Sequence, residues 1–231
     1  MRLSAIEAAG KFVEEQFPHC VAALLAGSAA RGEETETSDL DIVIFTTDTP
    51  YRESLIRYGW RIEAFVHTET SYLEWFESER RVGRATLANM IAGGIVIKDT
   101  GFIEAIKNKA EQWIAEGPPL LTEDFIRASR YFIYDLLDDF RDAKTDPEAI
   151  ITVNTLSLQL GEFILRLNGQ WIGRGKGLAR QLFKFDVDLA NQFFDALDAF
   201  YRHRATQPLI EFVDRIYAPL GGQLFDGFKQ A

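Results

Sequence analysis

A chain of 231 residues with 35 acidic and 25 basic side chains carries a formal charge of −10, which opposes a sequence-independent hold on DNA or RNA, since that depends on many Lys and Arg contacts to phosphate. With 47% hydrophobic and 13% aromatic residues, it has the apolar content to bury a core in one large or two ordinary domains, and disorder is not indicated. Its single cysteine, Cys20, leaves no internal disulfide framework and reads as a structural thiol in a reducing compartment.

Ser4 and Glu7 form a capping-box pattern around Ile6, with Phe12 and Val13 further on, so residues 4–16 are expected to be a helix ending before Pro18. Glu7, Lys11, Glu14 and Glu15 interrupt this stretch, which therefore lacks the apolar segment of a signal peptide, and nowhere do eighteen apolar residues run together. The expectation is a cytoplasmic protein with no membrane partner. VAALLAG (21–27) reads as a buried strand, and Gly27-Ser28 at its end opens a turn. DLDIVIF (39–45) is a second strand, and YRESLIRYGWRIEAFVH (51–67) reads as two strands reversing around Gly59. A helical stretch is expected from about Ser71 through Leu73, Trp75 and Phe76 to Met90, followed by a short strand, IVIK (95–98), after Gly93-Gly94.

Residues 99–117 read as a helix with Phe102, Ile103, Ile106, Ala110 and Trp113 on one stripe, and Gly117-Pro118-Pro119 ends it. A domain boundary is placed there, giving domains 1–118 and 119–231. From Thr122 onward the pattern is helical almost throughout, with breaks at Asp146-Pro147, Gly169 to Gly177, Asp186 and Gln207-Pro208. The expected fold class is α+β: a mixed sheet flanked by helices, then an all-α helical bundle that binds substrate or a partner. In the bundle's first helix, Phe132, Ile133, Leu136, Leu137 and Phe140 form the core stripe, and Tyr131, Asp135, Asp138 and Asp142 lie off it.

The chemistry concentrates where the first two strands meet. Ten residues separate Gly27-Ser28 from Asp39-Leu40-Asp41, so a glycine turn whose backbone N–H groups can face phosphate precedes two carboxylates. Side chains at i and i+2 of a strand share a face, so Asp39 and Asp41 converge on one spot. That combination points to nucleotidyl transfer. Two Mg2+ ions about 3.5–4 Å apart clamp the attacking and leaving oxygens of such a displacement, and magnesium is held by a few carboxylates plus substrate phosphates.

Gly-Ser, ten residues and Asp-x-Asp between apolar strands resembles the signature of nucleotidyltransferases of the DNA polymerase beta superfamily. The chain looks most like its small bacterial branch of kanamycin-type aminoglycoside nucleotidyltransferases and minimal nucleotidyltransferases. The signature covers residues 27–41, and the likeness in layout extends over roughly the first hundred residues. Beyond that it is architectural. The resemblance implies a third acidic group from a neighbouring strand, and Glu63 is the carboxylate available in RIEAFVH, where Arg61, Glu63 and Phe65 share a face. Its alternative is an ion pair with Arg61 or Arg31. Asp39, Asp41 and Glu63 are thus the candidate catalytic residues and metal ligands, with Glu63 first in line as general base.

Gly27, Ser28 and Arg31 are the candidate nucleotide-binding residues, although Arg31 can instead pair with Glu33 or Glu34, and Ser38 is expected to cap the turn before Asp39. GRGKG (173–177) is not a Walker motif, because Gly177 stands where a Ser or Thr should follow Lys176. By resemblance alone, Lys176 joins the triphosphate site. Asp135 or Asp138 could deprotonate an acceptor, or the acidic face could simply be solvated. His19, His67 and His203 have no metal spacing.

The reading is a nucleotidyltransferase using two Mg2+ ions and a nucleoside triphosphate, ATP first among them. It acts on a hydroxyl of a small, cationic, aminoglycoside-like acceptor, with no nucleic-acid partner and with room for a homodimer. The alternatives are an antitoxin-like enzyme that nucleotidylates a protein, and a nucleotide-binding module without turnover.

Overall fold

The structure is a computed structural model that describes residues 2–229. Its chain divides into two units, residues 1–117 and 118–231, each described by itself below.

In the first unit, helix α1 (Ala5–Gln16) opens on the expected capping box: the Ser4 hydroxyl accepts from the Glu7 N–H, while the Glu7 carboxylate reaches back to the Ser4 N–H at 3.1 Å. Strand β1 (Ala22–Ala26) follows, then α2 (Gly27–Ala30), a single helical turn that begins at Gly27-Ser28, where the sequence places the start of a turn. Next come β2 (Asp39–Phe45), β3 (Tyr51–Arg57) and β4 (Trp60–His67). The β3–β4 reversal is a two-residue turn with Tyr58 and Gly59 at φ 54° and 79°. Positive φ at both positions gives the twist that suits a tight hairpin. Strand β5 (Ile95–Asp99) completes a sheet of order β3-β4-β2-β1-β5 among the described residues. The sheet is mixed, as expected: β2 and β4 run parallel, and the other neighbours are antiparallel.

The sheet's two faces are chemically different. Ala23, Leu25, Leu40, Ile42, Ile44, Ile62, Ala64 and Val66 pack against Ala8, Ala9, Phe12 and Val13 of α1. The other face carries Asp39, Asp41 and Glu63 at one end, and Phe45 at the far end of β2. Phe45 is met edge-on by Tyr72 and Phe102 at 5.7 and 6.0 Å. Buried Cys20 is part of the α1 side of the core.

The predicted helix from Ser71 to Met90 is two helices, α3 (Ser71–Arg81) and α4 (Thr86–Ala92). Gly83, at φ 73°, reverses the chain between them, and the Glu79 carboxylate accepts from the Leu87 N–H at 2.9 Å. The helix predicted to begin at Asp99 starts at Ile103, as α5 (Ile103–Glu116). The cause is Asp99 itself: its Oδ1 accepts from the N–H groups of Gly101, Phe102 and Ile103 at 2.8, 2.8 and 3.2 Å, holding those residues in a turn. Ile103, Ile106, Ala110 and Trp113 form the buried stripe, and Phe102 lies outside the helix.

The second unit holds five α-helices among the described residues: α6 (Glu123–Asp142), α7 (Asp146–Leu167), α8 (Lys176–Phe185), α9 (Val187–His203) and α10 (Gln207–Tyr217). Thr145 and Glu148 cap α7 reciprocally, with Pro147 in its first turn, so the chain breaks where Pro is tolerated. Helix α7 is the one described helix long and apolar enough, by length and composition, to cross a membrane, and its Val153, Leu156, Leu160 and Ile164 sit in this unit's core. The stripe of α6 differs from the predicted one: Tyr134 is buried, its hydroxyl donating to Asp214 at 2.9 Å, whereas Phe132 is exposed. Phe132 instead meets the ring of Phe228 edge-on at 5.9 Å.

Phe140 is 1% exposed and packs edge-on against Phe200 at 4.9 Å. Phe140→Ala is expected to destabilise this unit by about 3–5 kcal/mol through lost transfer energy and the cavity left behind. A urea titration should show a lower midpoint at unchanged slope.

Candidate active site

The carboxylates converge because of strand register. In the parallel β2–β4 pair, Asp41 stands opposite Glu63 and Asp39 opposite Arg61. Directly opposed residues project to the same face, and i, i+2 residues do so along each strand. One oxygen from each of Asp39, Asp41 and Glu63 therefore lies within 4.8 Å of the others, all on partly buried side chains. Hard oxygen donors in this number suit a divalent cation of the Mg2+ or Mn2+ kind.

Gly27 lets Asp41 reach this position. It has φ +70°, and a Cβ placed on it would lie 2.0 Å from Asp41 Oδ2. Glycine thus serves twice here: it takes a backbone conformation that side chains rarely adopt, and it leaves the space that the carboxylate fills. Next to it, the Ser28 hydroxyl donates to Ser38 Oγ at 3.3 Å, and Ser38 Oγ in turn accepts from the Thr35 N–H at 2.9 Å. Ser38 closes the turn before Asp39, as its position in the sequence suggests.

Crowding leaves an electrostatic mark. Asp41 has its pKa pushed up from 3.8 to about 6, first by burial, then by the charges of Asp39 and Glu63, with Arg52 and Arg31 pulling the other way. Arg31 is half exposed and donates to Glu33 at 3.0 Å, so it is paired as one of its two sequence readings has it, while its charge still bears on Asp41. Glu63 has a cation partner too, but neither Arg61 nor Arg31. Arg52 of β3 donates from Nη2 to Glu63 Oε2.

Arg52 is the residue that sequence reasoning missed. The signal was present in the two-residue turn at 58–59, which fixes Ser54 opposite Glu63 and Arg52 opposite Phe65. Counting back from that turn puts Arg52 on the carboxylate face, one diagonal from Glu63.

Lys176 belongs to the second unit, exposed as the first residue of α8. Of the glycines around it, Gly173 has a packing reason, since a Cβ there would lie 2.2 Å from the carbonyl carbon of Gly177. Asp138 is taken up by Arg141 at 2.7 Å and Gln223 at 3.2 Å, whereas Asp135 is exposed. The closing Gly-rich segment packs onto α6: Arg130 donates to the Gly222 and Gly221 carbonyls at 2.8 Å each, and Phe228 stacks on Tyr131 at 4.1 Å. His67 is buried beside Phe45 and Trp75, and burial pulls its pKa down to about 4, so it is neutral and structural.

A mixed sheet that gathers three carboxylates on one face beside a glycine-serine turn offers a divalent cation a set of oxygen ligands. Residues 6–92 match the family model of the nucleotidyltransferase domain. This segment fits a nucleotidyltransferase domain of the polymerase beta type, a kind of domain that implies a nucleoside triphosphate as substrate. A nucleotidyltransferase-like protein from Exiguobacterium sibiricum 255-15 is similar in structure at a TM-score of 0.45 and 12% identity, over 90% of this chain and 71% of that one. No curated protein matches the chain.

Two predictions follow from the crowding. The native pKa of Asp41 lies above its ordinary 3.8, so the folded chain holds this proton more tightly than the unfolded one. That contribution to stability is full below about pH 4 and is lost as pH rises through about 6. Asp41→Asn should therefore stabilise the metal-free protein at pH 7–8 by on the order of 1–3 kcal/mol. The gain should shrink at pH 5, as read by thermal melts at the two pH values. Gly27→Ala should do the opposite, costing about 1–3 kcal/mol through backbone strain and displacing Asp41. Mn2+ titration of that variant should show a large loss of affinity.

Proposed function

We propose that the chain transfers a nucleoside monophosphate from a magnesium nucleoside triphosphate, ATP first among them, to a hydroxyl of a small cationic acceptor of the aminoglycoside type, in the cytoplasm. The observation that carries this reading is the meeting of Asp39, Asp41 and Glu63 oxygens within 4.8 Å beside Gly27-Ser28. These three side chains would hold two Mg2+ ions, which when bound relieve charge on the attacking and leaving oxygens. Gly27 and Ser28 supply donors for phosphate oxygens at the turn, and Arg31 is a nearby cation for the same oxygens. Glu63 is the first candidate to accept the acceptor's hydroxyl proton. Lys176 enters at the triphosphate by resemblance alone.

The small cationic acceptor is supported by the net charge of −10 and by exposed Asp135 and Asp139 on α6, which draw cations. A second reading, nucleotidylation of a protein, is favoured by one feature of the helical unit. Residues 149–161 of α7 hold no charged side chain, and Ile151 and Leu158 are 67% and 54% exposed there. Exposed aliphatic side chains on an uncharged helix face suit a partner protein better than an amine-rich small molecule.

Incubation with Mg2+ and each α-labelled nucleoside triphosphate, against aminoglycosides, RNAs and cell lysate, tests these readings. Label is expected on a small cationic acceptor, reduced at least about 100-fold in Asp39→Ala. Label on a polypeptide would shift the assignment to the second reading. Nucleotide binding with no transfer to any acceptor would overturn both.

A further inference from the structure

The carboxylate cluster has a cation built beside it that the reading above does not use. Strand β3 is the sheet's edge, and six of its seven residues are exposed. An exposed edge arginine ordinarily ranges through many rotamers, but Arg52 is held at two points. Its guanidinium lies over the Phe65 ring at 4.7 Å from the centroid, and Nη2 donates to Glu63 Oε2. The hairpin register supplies both contacts, because Phe65 is directly opposite Arg52 and Glu63 lies on the diagonal.

Glu63 needs such a hold. It comes from a different strand than Asp39 and Asp41, its side chain is 26% exposed, and two like charges push it outward toward solvent. A carboxylate has two oxygens, and a donor fixed to one of them orients the other. We propose that Arg52 is a positioning residue of the nucleotidyl-transfer site, which grips Glu63 by Oε2 from the platform of Phe65 and so keeps its carboxylate turned to the Asp39–Asp41 pair. The inference rests on the proposed reading of these three carboxylates as metal ligands. With Arg52 itself 53% exposed, the ion pair adds little to fold stability, and its effect lies in orientation.

The test is Mn2+ binding to the nucleotide-free protein, followed by electron paramagnetic resonance, with melting curves for every variant. Arg52→Ala should weaken Mn2+ binding about 10- to 100-fold with a melting midpoint near that of the unaltered chain. Arg52→Lys, which keeps the charge without the planar fork, should recover only part of the loss. If Arg52→Ala binds Mn2+ as tightly or more tightly, or if lysine restores binding fully, Arg52 acts as a competitor or a plain counter-charge, and the inference fails. Glu63→Ala separates this outcome from failure of the site itself. Should that variant bind Mn2+ like the unaltered chain, the metal-ligand reading falls and the inference with it. If Glu63→Ala loses binding while Arg52→Ala keeps it, the inference alone falls.

Discussion

Three negative side chains held at ligand distance are the constraint around which the first unit is organised. They meet because β2 and β4 pair in parallel with Asp41 opposite Glu63, and a strand pairing shifted by one residue would send every side chain of β4 to the other face. The other face is what prevents that shift. Ile62, Ala64 and Val66 are buried beneath α1, and moving them to the carboxylate side would expose three apolar side chains and bury Arg61 and Glu63. Hydrophobic burial on one side of the sheet thereby fixes electrostatic geometry on the other.

That geometry works against the fold. Asp41 is partly buried, crowded by two carboxylates and pressed against a glycine backbone, and its raised pKa shows how poorly the metal-free structure tolerates its charge. Arg52 and Arg31 offset part of this cost, each through a side chain about half open to water. Partial relief of this kind suits a site that receives cations with its substrate, since complete neutralisation by buried arginines would leave no charge to bind a metal. The tension is local, and the apolar packing on the α1 side carries it.

Much of this was legible in the sequence where burial is one-sided. Strand β4 and helix α1 alternate or repeat cleanly, so their periods give both type and facing, whereas β1 and most of β2 read as apolar runs buried on both faces; parity puts Asp39 and Asp41 on one side, and the family resemblance points to Glu63 as their companion. What stayed hidden depended on contacts between elements. Arg52 sits on an edge strand whose residues are nearly all exposed, so no apolar period marks its face, and only the hairpin count ties it to Glu63. The start of α5 moved because the Asp99 carboxylate captured three backbone N–H groups, a local competition that helical periodicity does not register. On α6 the stripe turned to bury Tyr134 in place of Phe132, since a tyrosine can enter a core when its hydroxyl finds a partner, here Asp214.

The α6 stripe also explains the Gly-rich end of the chain. With Phe132 rotated outward, the helix presents Tyr131 and Phe132 on its open side, and Phe228 packs against both rings. Arg130 and Arg127 bind carbonyls of Gly221, Gly222 and Gly227, and all three glycines have positive φ, which lets the backbone turn its oxygens toward the guanidinium groups. The closing segment thus covers apolar surface that α6 would otherwise expose, while Asp135 and Asp139 remain open to solvent. The acidic character of this helix is therefore concentrated in a narrower band than its sequence implies.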